Sequence, residues 1–351
     1  MKAYITSSKA ISAQNTFGNE FPLENVKPTD LQMFAIEPDY KQFIHPMKLR
    51  RMSKVVKMGV ASALQCLRES GIEQPEAIIT TTGWGCLSDT FKFLDEIAEK
   101  QEQTLSPATF IQSTHNTVGG QIALLLGCQE YNSVYVNDSV SFEHGLLDAI
   151  LLLEEGKQTV LIGGIDELTE IDFTLKKQAG WWKDQPENTP LFQSKTPGTI
   201  SGEGSTFFLL SNNPNGNASS CIESIKFTMN KNQDIALKDL LSGNNISREE
   251  IDLVISGING DFSTNSNYIN FIDDNLSSAQ HCYYKHLTGD YDSASAFSLW
   301  LADQIIRTQK VPEYIMINRR SDPHQAIEKI LIHNFKQPSE HGFILVSKTG
   351  I

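Results

Sequence analysis

The chain has 351 residues, and its 29 Lys and Arg against 42 Asp and Glu give a formal net charge of −13. At about 150 residues per domain, this length predicts two domains or one large one. The negative charge argues against general nucleic-acid binding, because that affinity comes mainly from Lys and Arg neutralising phosphates. Hydrophobic residues at 40% and charged residues at 20% are typical of globular proteins rather than of disordered chains.

The N-terminal residues contain no apolar core of signal-peptide length, and no segment approaches the about 18 apolar residues that a membrane span needs. The five cysteines are widely spaced and include no C-x-x-C pair. This pattern argues against a disulfide framework and against a Cys-based zinc site. We therefore expect a reduced, cytoplasmic protein with no membrane span and no metal.

Short runs rich in β-branched residues alternate with amphipathic segments such as 51–70. This alternation predicts an α/β protein with largely parallel, buried sheets. In chain order, the predicted strands are Ala3 to Ser7, Glu76 to Thr82, Ser133 to Asn137, Thr159 to Gly163, Gly204 to Leu210, Ile222 to Thr228, Leu253 to Gly257, Tyr314 to Asn318 and Gly342 to Ser347.

A polar, Pro-containing segment at 175–199 lacks clear periodicity and is the best candidate for a boundary. We predict an N-terminal half at 1–174, a connecting loop at 175–199 and a C-terminal half at 200–351, which together form one compact unit. The loop carries Trp181 and Trp182 side by side. We interpret these indoles as packing the loop onto the body of the protein, with a binding surface as the alternative.

The segment 133–156 predicts a strand, a polar turn and then an apolar helix. Ser139 falls at or near the N-terminus of that helix. Backbone N–H groups and the helix dipole favour an anion or a thiolate at such a position. Ser139 therefore occupies a place suited to an attacking residue.

Along nearly its whole length, the chain resembles the β-ketoacyl-acyl-carrier-protein synthases of the thiolase superfamily. Landmarks in the family's order carry the resemblance, and they are AIITTTGWG, LSPATFIQSTHNTVGGQIALLLG, VLIGGIDELTE, TPGTISGEGSTFFLLS and KHLTG. The resemblance implies a thiolase-like α/β fold in five layers, α-β-α-β-α, built from two related halves.

The resemblance also assigns the catalytic positions, and each of them holds an unexpected residue. Ser139 stands where active members have the nucleophilic Cys, Asn259 where they have the first His and Asp290 where they have the second. Lys285 matches the family's active-site Lys, while the Gly-rich C-terminal loop is matched only by 334–338. Asn259 cannot accept a proton from Ser139, and an anionic Asp290 would oppose a developing negative charge. We therefore expect the isolated chain not to be a condensing enzyme; any activity would be of the 3-oxoacyl-carrier-protein synthase type.

Family members without this triad include chain length factors, which pair with an active ketosynthase. The resemblance thus implies a heterodimer with an active ketosynthase homologue, or a homodimer when the chain is alone. It also implies an acyl carrier protein as a partner, in fatty acid or polyketide biosynthesis such as that of aryl polyene or flexirubin-type pigments. Lys48, Arg50, Arg51 and Lys54 would dock that acidic carrier, or else form a solvated helix face.

Two other functions stay open, a Ser-dependent acyltransferase or thioesterase using Ser139 and a homodimeric acyl-binding protein. His144 is a poor base for Ser139, since residues five apart on a helix do not face each other. We interpret His115 as a surface or interface residue and expect Lys285 and Asp290 to form an ion pair. The Gly-rich pieces lack the spacing of phosphate-binding loops, so no cofactor is predicted.

Overall fold

The computed structural model describes residues 2–18, 21, 30–101, 103–214, 218–228, 233–318, 326–335 and 340–350. Its strands, in chain order, are β1 Ala3–Ile11, β2 Gln32–Met33, β3 Ala77–Thr82, β4 Tyr131–Val136, β5 Thr159–Asp166, β6 Ser201–Gly202, β7 Gly204–Ser211, β8 Ser220–Thr228, β9 Leu253–Ser256, β10 Gln280–Tyr283, β11 Lys329–Phe335 and β12 His341–Lys348.

Capping residues fix several of the helix ends. The Asp261 side chain accepts a hydrogen bond from the Thr264 backbone N–H, and Gly71 ends a helix with a φ of 73°. The α-helices are α1 Pro46–Leu49, α2 Lys54–Ser70, α3 Leu87–Lys100, α4 Pro107–Gln112, α5 Thr117–Leu126, α6 Ser141–Glu154, α7 Glu170–Gln178, α8 Gln233–Gly243, α9 Phe262–Asn275, α10 Lys285–Thr288 and α11 Ser295–Thr308.

Two five-strand units repeat the same strand order. The first unit runs β1-β7-β5-β3-β4 and the second runs β8-β12-β11-β9-β10. In each unit the first two neighbouring pairs are antiparallel and the last two are parallel. The units meet where Ala3 to Ile5 of β1 pair with Ser220 to Ile222 of β8. The expected construction from two related halves is confirmed, although the sheet is mixed rather than largely parallel.

Helices lie on both sides of each unit and give the expected five layers. α6 and α11 contact strands of both units, α2 and α5 pack on the first unit, and α8 packs on the second. The sequence of α6 is apolar on nearly all sides because the helix lies between two sheets. Gly145 allows its close approach to β3, since a Cβ there would lie 2.4 Å from Cγ2 of Thr81.

Two predictions about elements differ from the structure. Residues 314–318 form no strand; Glu313–Ile315 is a 3-10 helix, and Met316 makes one isolated bridge to Cys282. The sequence does not predict β10 or β11. β10 has only four residues, and the apolar run of β11 is interrupted by polar residues, so both resemble loops in a sequence. The chain passes from the strands of the first unit to those of the second between Ser211 and Ser220, because β7 still pairs with β1 and β5 of the first unit. As domain boundaries, 1–174, 175–199 and 200–351 stay a prediction.

All five cysteines are buried, and none of them is in a disulfide bond. Among the described residues, no helix is both long enough and apolar enough to cross a bilayer.

Candidate active site

Ser139 lies in the turn that joins β4 to α6. Ser141 shapes this turn, because its Oγ accepts a hydrogen bond from the Asn137 backbone N–H at 2.7 Å and donates one to the Thr82 carbonyl at 3.0 Å. Asp138 takes a left-handed backbone conformation with a φ of 43°. Ser139 is buried, and its Oγ has no hydrogen-bond partner among the described residues.

A buried amide and a buried carboxyl support this turn. Asn334, near the end of β11, donates through Nδ2 to the Ser139 carbonyl at 3.0 Å and to Glu143 Oε1 at 3.1 Å. Glu143 lies in α6 and is fully buried. Burial raises the pKa of Glu143 to about 7, because the charged form loses its hydration. The sequence placed Asn334 only as the start of the segment matched to the C-terminal loop, and it drew no attention to Glu143.

Asn259, Lys285 and Asp290 come together in the second half of the fold. Asn259 follows β9, Lys285 begins α10, and Asp290 comes directly after the turn that ends α10. Asp290 accepts a hydrogen bond from Lys285 Nζ at 2.6 Å through Oδ1 and one from Asn259 Nδ2 at 2.9 Å through Oδ2. All three side chains are buried, and the expected ion pair is present.

This cluster leaves no group positioned to activate Ser139. The Asn259 amide donates to Asp290, and both carboxylate oxygens of Asp290 are engaged. Among the described contacts, the Ser139 side chain reaches none of the three. A serine hydroxyl becomes a strong nucleophile only when a base takes its proton, and an amide is not a base. Asn259, Lys285 and Asp290 thus bind one another, and no described contact links them to the Ser139 hydroxyl.

The candidate histidine bases have other partners. His144 Nδ1 lies 2.7 Å from Asn137 Nδ2, and its ring meets Phe227 edge to face. His115 lies against Gly85, where a Cβ would be 2.9 Å from Cδ2 of the ring.

Cys86 is buried, and burial raises the pKa of its thiol. A reactive cysteine requires a lowered pKa instead.

A cavity of about 320 Å³ borders the cluster. Asn259 and Asp290 line it together with Trp84, Trp181 and Trp182, whereas Ser139 is not among its lining residues. The sequence indicates a packing or binding role for Trp181 and Trp182, but it assigns no such role to Trp84. Trp182 is buried as the packing interpretation predicts, while Trp181 is 41% exposed.

Lys183 holds the tryptophan loop against the cluster. Its buried Nζ donates to Ser194 Oγ at 2.7 Å, to Thr196 Oγ1 at 2.8 Å and to the Gly260 carbonyl at 2.9 Å. Desolvation lowers the pKa of Lys183. Because Gly260 adjoins Asn259, Lys183 links the loop to the segment that lines the cavity. The sequence did not predict the burial of Lys183, because a lysine in a polar loop is usually exposed.

The basic run divides into exposed and paired members. Lys48, Arg50 and Arg51 are exposed around α1. The Lys54 ammonium pairs with the buried carboxylate of Glu203, which also accepts hydrogen bonds from two backbone N–H groups. The exposed members are available to a partner, and the docking role of the run stays a prediction. Residues 336–338 of the predicted C-terminal loop lie outside the described residues.

The family model for the beta-ketoacyl synthase N-terminal domain matches residues 27–186. No curated protein sequence matches the chain. The ishigamide ketosynthase/chain length factor has a similar structure, with a TM-score of 0.80, 18% identity and 99% of each chain covered.

Two further structures are similar. The complex of the ketosynthase ApeO with its chain length factor ApeC from Xenorhabdus doucetiae has a TM-score of 0.76 at 15% identity, covering 99% of this chain and 98% of that one. A type II polyketide acyl-carrier protein bound to its ketosynthase, AntDE:AntF, has a TM-score of 0.74 at 12% identity, with 99% of each chain covered. The present chain therefore has the fold of these ketosynthase structures along nearly its whole length, and residues 27–186 match the beta-ketoacyl synthase model.

Proposed function

We propose that the chain is a ketosynthase-like subunit without condensing activity of its own, which works as the chain-length-factor-type partner of an active ketosynthase. The observation that carries this proposal is the closed cluster of Asn259, Lys285 and Asp290. A condensing site needs a nucleophile with a base and donors directed at a developing oxyanion. Here the corresponding groups bind one another.

An open sheet edge supports the partnership. β4 ends the first unit and pairs only with β3 among the described strands. Tyr131 and Val136 at its two ends are 40% and 43% exposed, and Leu124 on the neighbouring α5 is 70% exposed. Unpaired strand edges and exposed apolar side chains favour association with another chain. We therefore place the ketosynthase partner on this face.

An acyl carrier protein is the second partner we propose. Lys48, Arg50 and Arg51 form an exposed basic group on a chain of net charge −13. A local positive patch steers an acidic protein by electrostatics even when the whole molecule is negative. In the similar structures named above, one ketosynthase is bound to its chain length factor and another to a carrier protein. The process we propose is fatty acid or polyketide elongation in the cytoplasm, aryl polyene and flexirubin-type pigments included.

Incubating the purified chain with malonyl- and acyl-carrier protein tests the missing activity. We expect neither decarboxylation of malonyl-carrier protein nor chain extension. Robust extension by the chain alone would overturn the proposal. An active ketosynthase assayed under the same conditions shows that the substrates are competent.

Co-expression with an active ketosynthase homologue from the same organism tests the partnership. We expect the two proteins to purify as one complex and Leu124→Asp to weaken that complex. Ile235→Asp is the matched control, because Ile235 is also an exposed apolar residue but lies on α8 of the second unit. A wild-type chain that forms no complex, or equal losses in both variants, would contradict this assignment.

A Ser139-dependent acyltransferase or thioesterase is the alternative function. The buried Ser139 Oγ contacts no described base, which argues against it. Covalent labelling by a fluorophosphonate that disappears in Ser139→Ala would establish this alternative in place of our proposal. A symmetric homodimer that binds acyl chains without turnover would instead support an acyl-binding protein.

A further inference from the structure

Three tryptophans surround a lysine of the chain itself at the cavity wall. The ammonium of Lys176, on α7, lies 5.4 Å from the Trp84 ring centroid, 5.6 Å from that of Trp181 and 5.9 Å from that of Trp182. All three distances fall within the range of a cation–π interaction, which is about 6 Å. Asp172 Oδ2 lies 2.9 Å from the same ammonium. Indole faces and a carboxylate thus form a cage for a cation.

The cage is fixed in place rather than formed by side chains free to move. Trp182 is buried, stacks on Phe173 at 6.3 Å and donates through Nε1 to the Phe173 carbonyl at 3.2 Å. The neighbouring Lys183 anchors the loop that carries Trp181 and Trp182. Trp84 and Trp181 are each more than 40% exposed, so the cage opens to solvent. The part of the cage formed by Trp182 is already held in place, so it loses little conformational entropy when a ligand binds.

The charge of the whole cavity favours the same kind of ligand. Lys176 is the one basic residue among the described lining residues, against six acidic ones, namely Asp166, Glu167, Asp172, Asp261, Asp290 and Asp292. Most of these carboxylates have internal donors; Asp166, for example, accepts from Thr82, Gly83 and Ser293. Burial raises the pKa of Asp166 and of Glu167 and so disfavours their charged forms, and Asp290 is paired with Lys285. Asp172 beside the cage is therefore the carboxylate that most directly favours a cation.

We propose that this cavity binds an organic ammonium ion, such as a methylated alkylamine, in the cage that the Lys176 ammonium now occupies. The ligand's ammonium would take the position of the lysine between the three indoles and beside Asp172, and its carbon chain would extend into the apolar part of the cavity. Lys176 is then an internal competitor that the ligand must displace. This proposal is independent of the proposed ketosynthase partnership.

Choline titrations of wild type, Lys176→Met and Lys176→Arg test the proposal, with tryptophan fluorescence and calorimetry as readouts. Lys176→Met keeps most of the side chain but is one atom shorter and vacates the cation position, so we expect it to bind choline at least about tenfold more tightly than wild type, a difference of about 1.4 kcal/mol. Lys176→Arg keeps a cation in the cage and should bind no better than wild type. Lys176→Gln is a second uncharged variant in case the first one folds poorly.

The uncharged isostere 3,3-dimethylbutan-1-ol separates charge from apolar contact, and it should bind the uncharged variants much more weakly than choline does. Equal binding of the two compounds would overturn the proposal. So would the absence of saturable choline binding to folded Lys176→Met or Lys176→Gln, or equal affinities in the Met and Arg variants. Complex formation with the ketosynthase is measured separately, so either proposal can fail without the other.

Discussion

The turn that carries Ser139 and the cluster around Asp290 contain residues that the family resemblance assigns to one site. Their buried polar groups differ in hydrogen bonding. Ser139 Oγ and Glu143 Oε2 are buried with no hydrogen-bond partner among the described residues. Asp290 instead binds Lys285 and Asn259 through both oxygens. The first half keeps the shape of a nucleophile turn without its chemistry. In the cluster, the residues that the family resemblance assigns to catalytic positions bind one another.

This comparison indicates where the structure depends on its polar groups. A buried ion pair is expensive to break, because removing one partner leaves the other charged and without compensation. A buried hydroxyl that makes no hydrogen bond can be removed at little cost. We therefore expect substitutions in the cluster to affect stability strongly and substitutions of Ser139 to affect it little.

The largest effect is expected for Asp290→Ala. This change leaves the buried Lys285 ammonium without its carboxylate, and it should lower the free energy of unfolding by about 3–5 kcal/mol. Urea denaturation measures the loss. Asp184→Ala is the control, since Asp184 is fully exposed on the tryptophan loop. A loss for Asp290→Ala as small as that of the control would mean that the cluster does not stabilise the fold.

The next largest effect is the contribution of Glu143 to the pH dependence of the free energy of unfolding. Its pKa rises from its ordinary 4.5 to about 7 in the folded protein, so between these values the folded chain binds more protons than the unfolded chain. Stability must then fall as pH rises through this window, by up to about 3 kcal/mol. Glu143→Gln cannot ionise and should lack this loss. Its stability relative to wild type should therefore increase from pH 5 to pH 8.

Unfolding curves at several pH values measure this difference. Glu155→Gln, an exposed position just after the same helix, is the control and should show a constant difference from wild type. If wild type and Glu143→Gln keep a constant difference across the range, Glu143 is already ionised in the folded protein. The turn beside Ser139 would then tolerate a charge, and the contrast with the cluster would weaken.

The third prediction separates the ion pair from the packing around it. Lys285→Met/Asp290→Ala removes both charges, so it should be more stable than Asp290→Ala alone. We expect a coupling energy of about 1–3 kcal/mol between the two sites in a double-mutant cycle. Additive effects would show that Lys285 and Asp290 contribute independently, and the cluster would then not be a unit.

Much of the fold was predictable because burial imposes patterns on the sequence. β5 and β7 are buried along nearly their whole length and appear as continuous apolar runs. The resemblance placed Asn259, Lys285 and Asp290 at corresponding catalytic positions, and the structure joins them. β10 was missed because its four residues, Gln280 to Tyr283, include two polar ones whose burial depends on neighbouring strands.

The parts of the site that could not be predicted depend on contacts between distant residues. Asn334 reaches Ser139 across 195 positions, and Lys183 reaches Gly260 across 77. Nothing local distinguishes a buried Lys183 from an exposed one, since its burial depends on acceptors supplied by other segments. The tryptophan pair was visible in the sequence, but its relation to Trp84 and Lys176 exists only in the folded chain.

The smallest effect is expected at Ser139 itself. Ser139→Ala removes a hydroxyl without a described partner, so the free energy of unfolding should change by less than about 1 kcal/mol. The activity of a complex with the ketosynthase should also be unchanged, because Ser139 has no base. Ser139→Cys should likewise give no malonyl decarboxylation, since a thiol alone lacks the donors that stabilise the enolate while Asn259 and Asp290 bind each other. Decarboxylation by this single variant would mean that the nucleophile is the only missing part, and that the cluster does not disable the site.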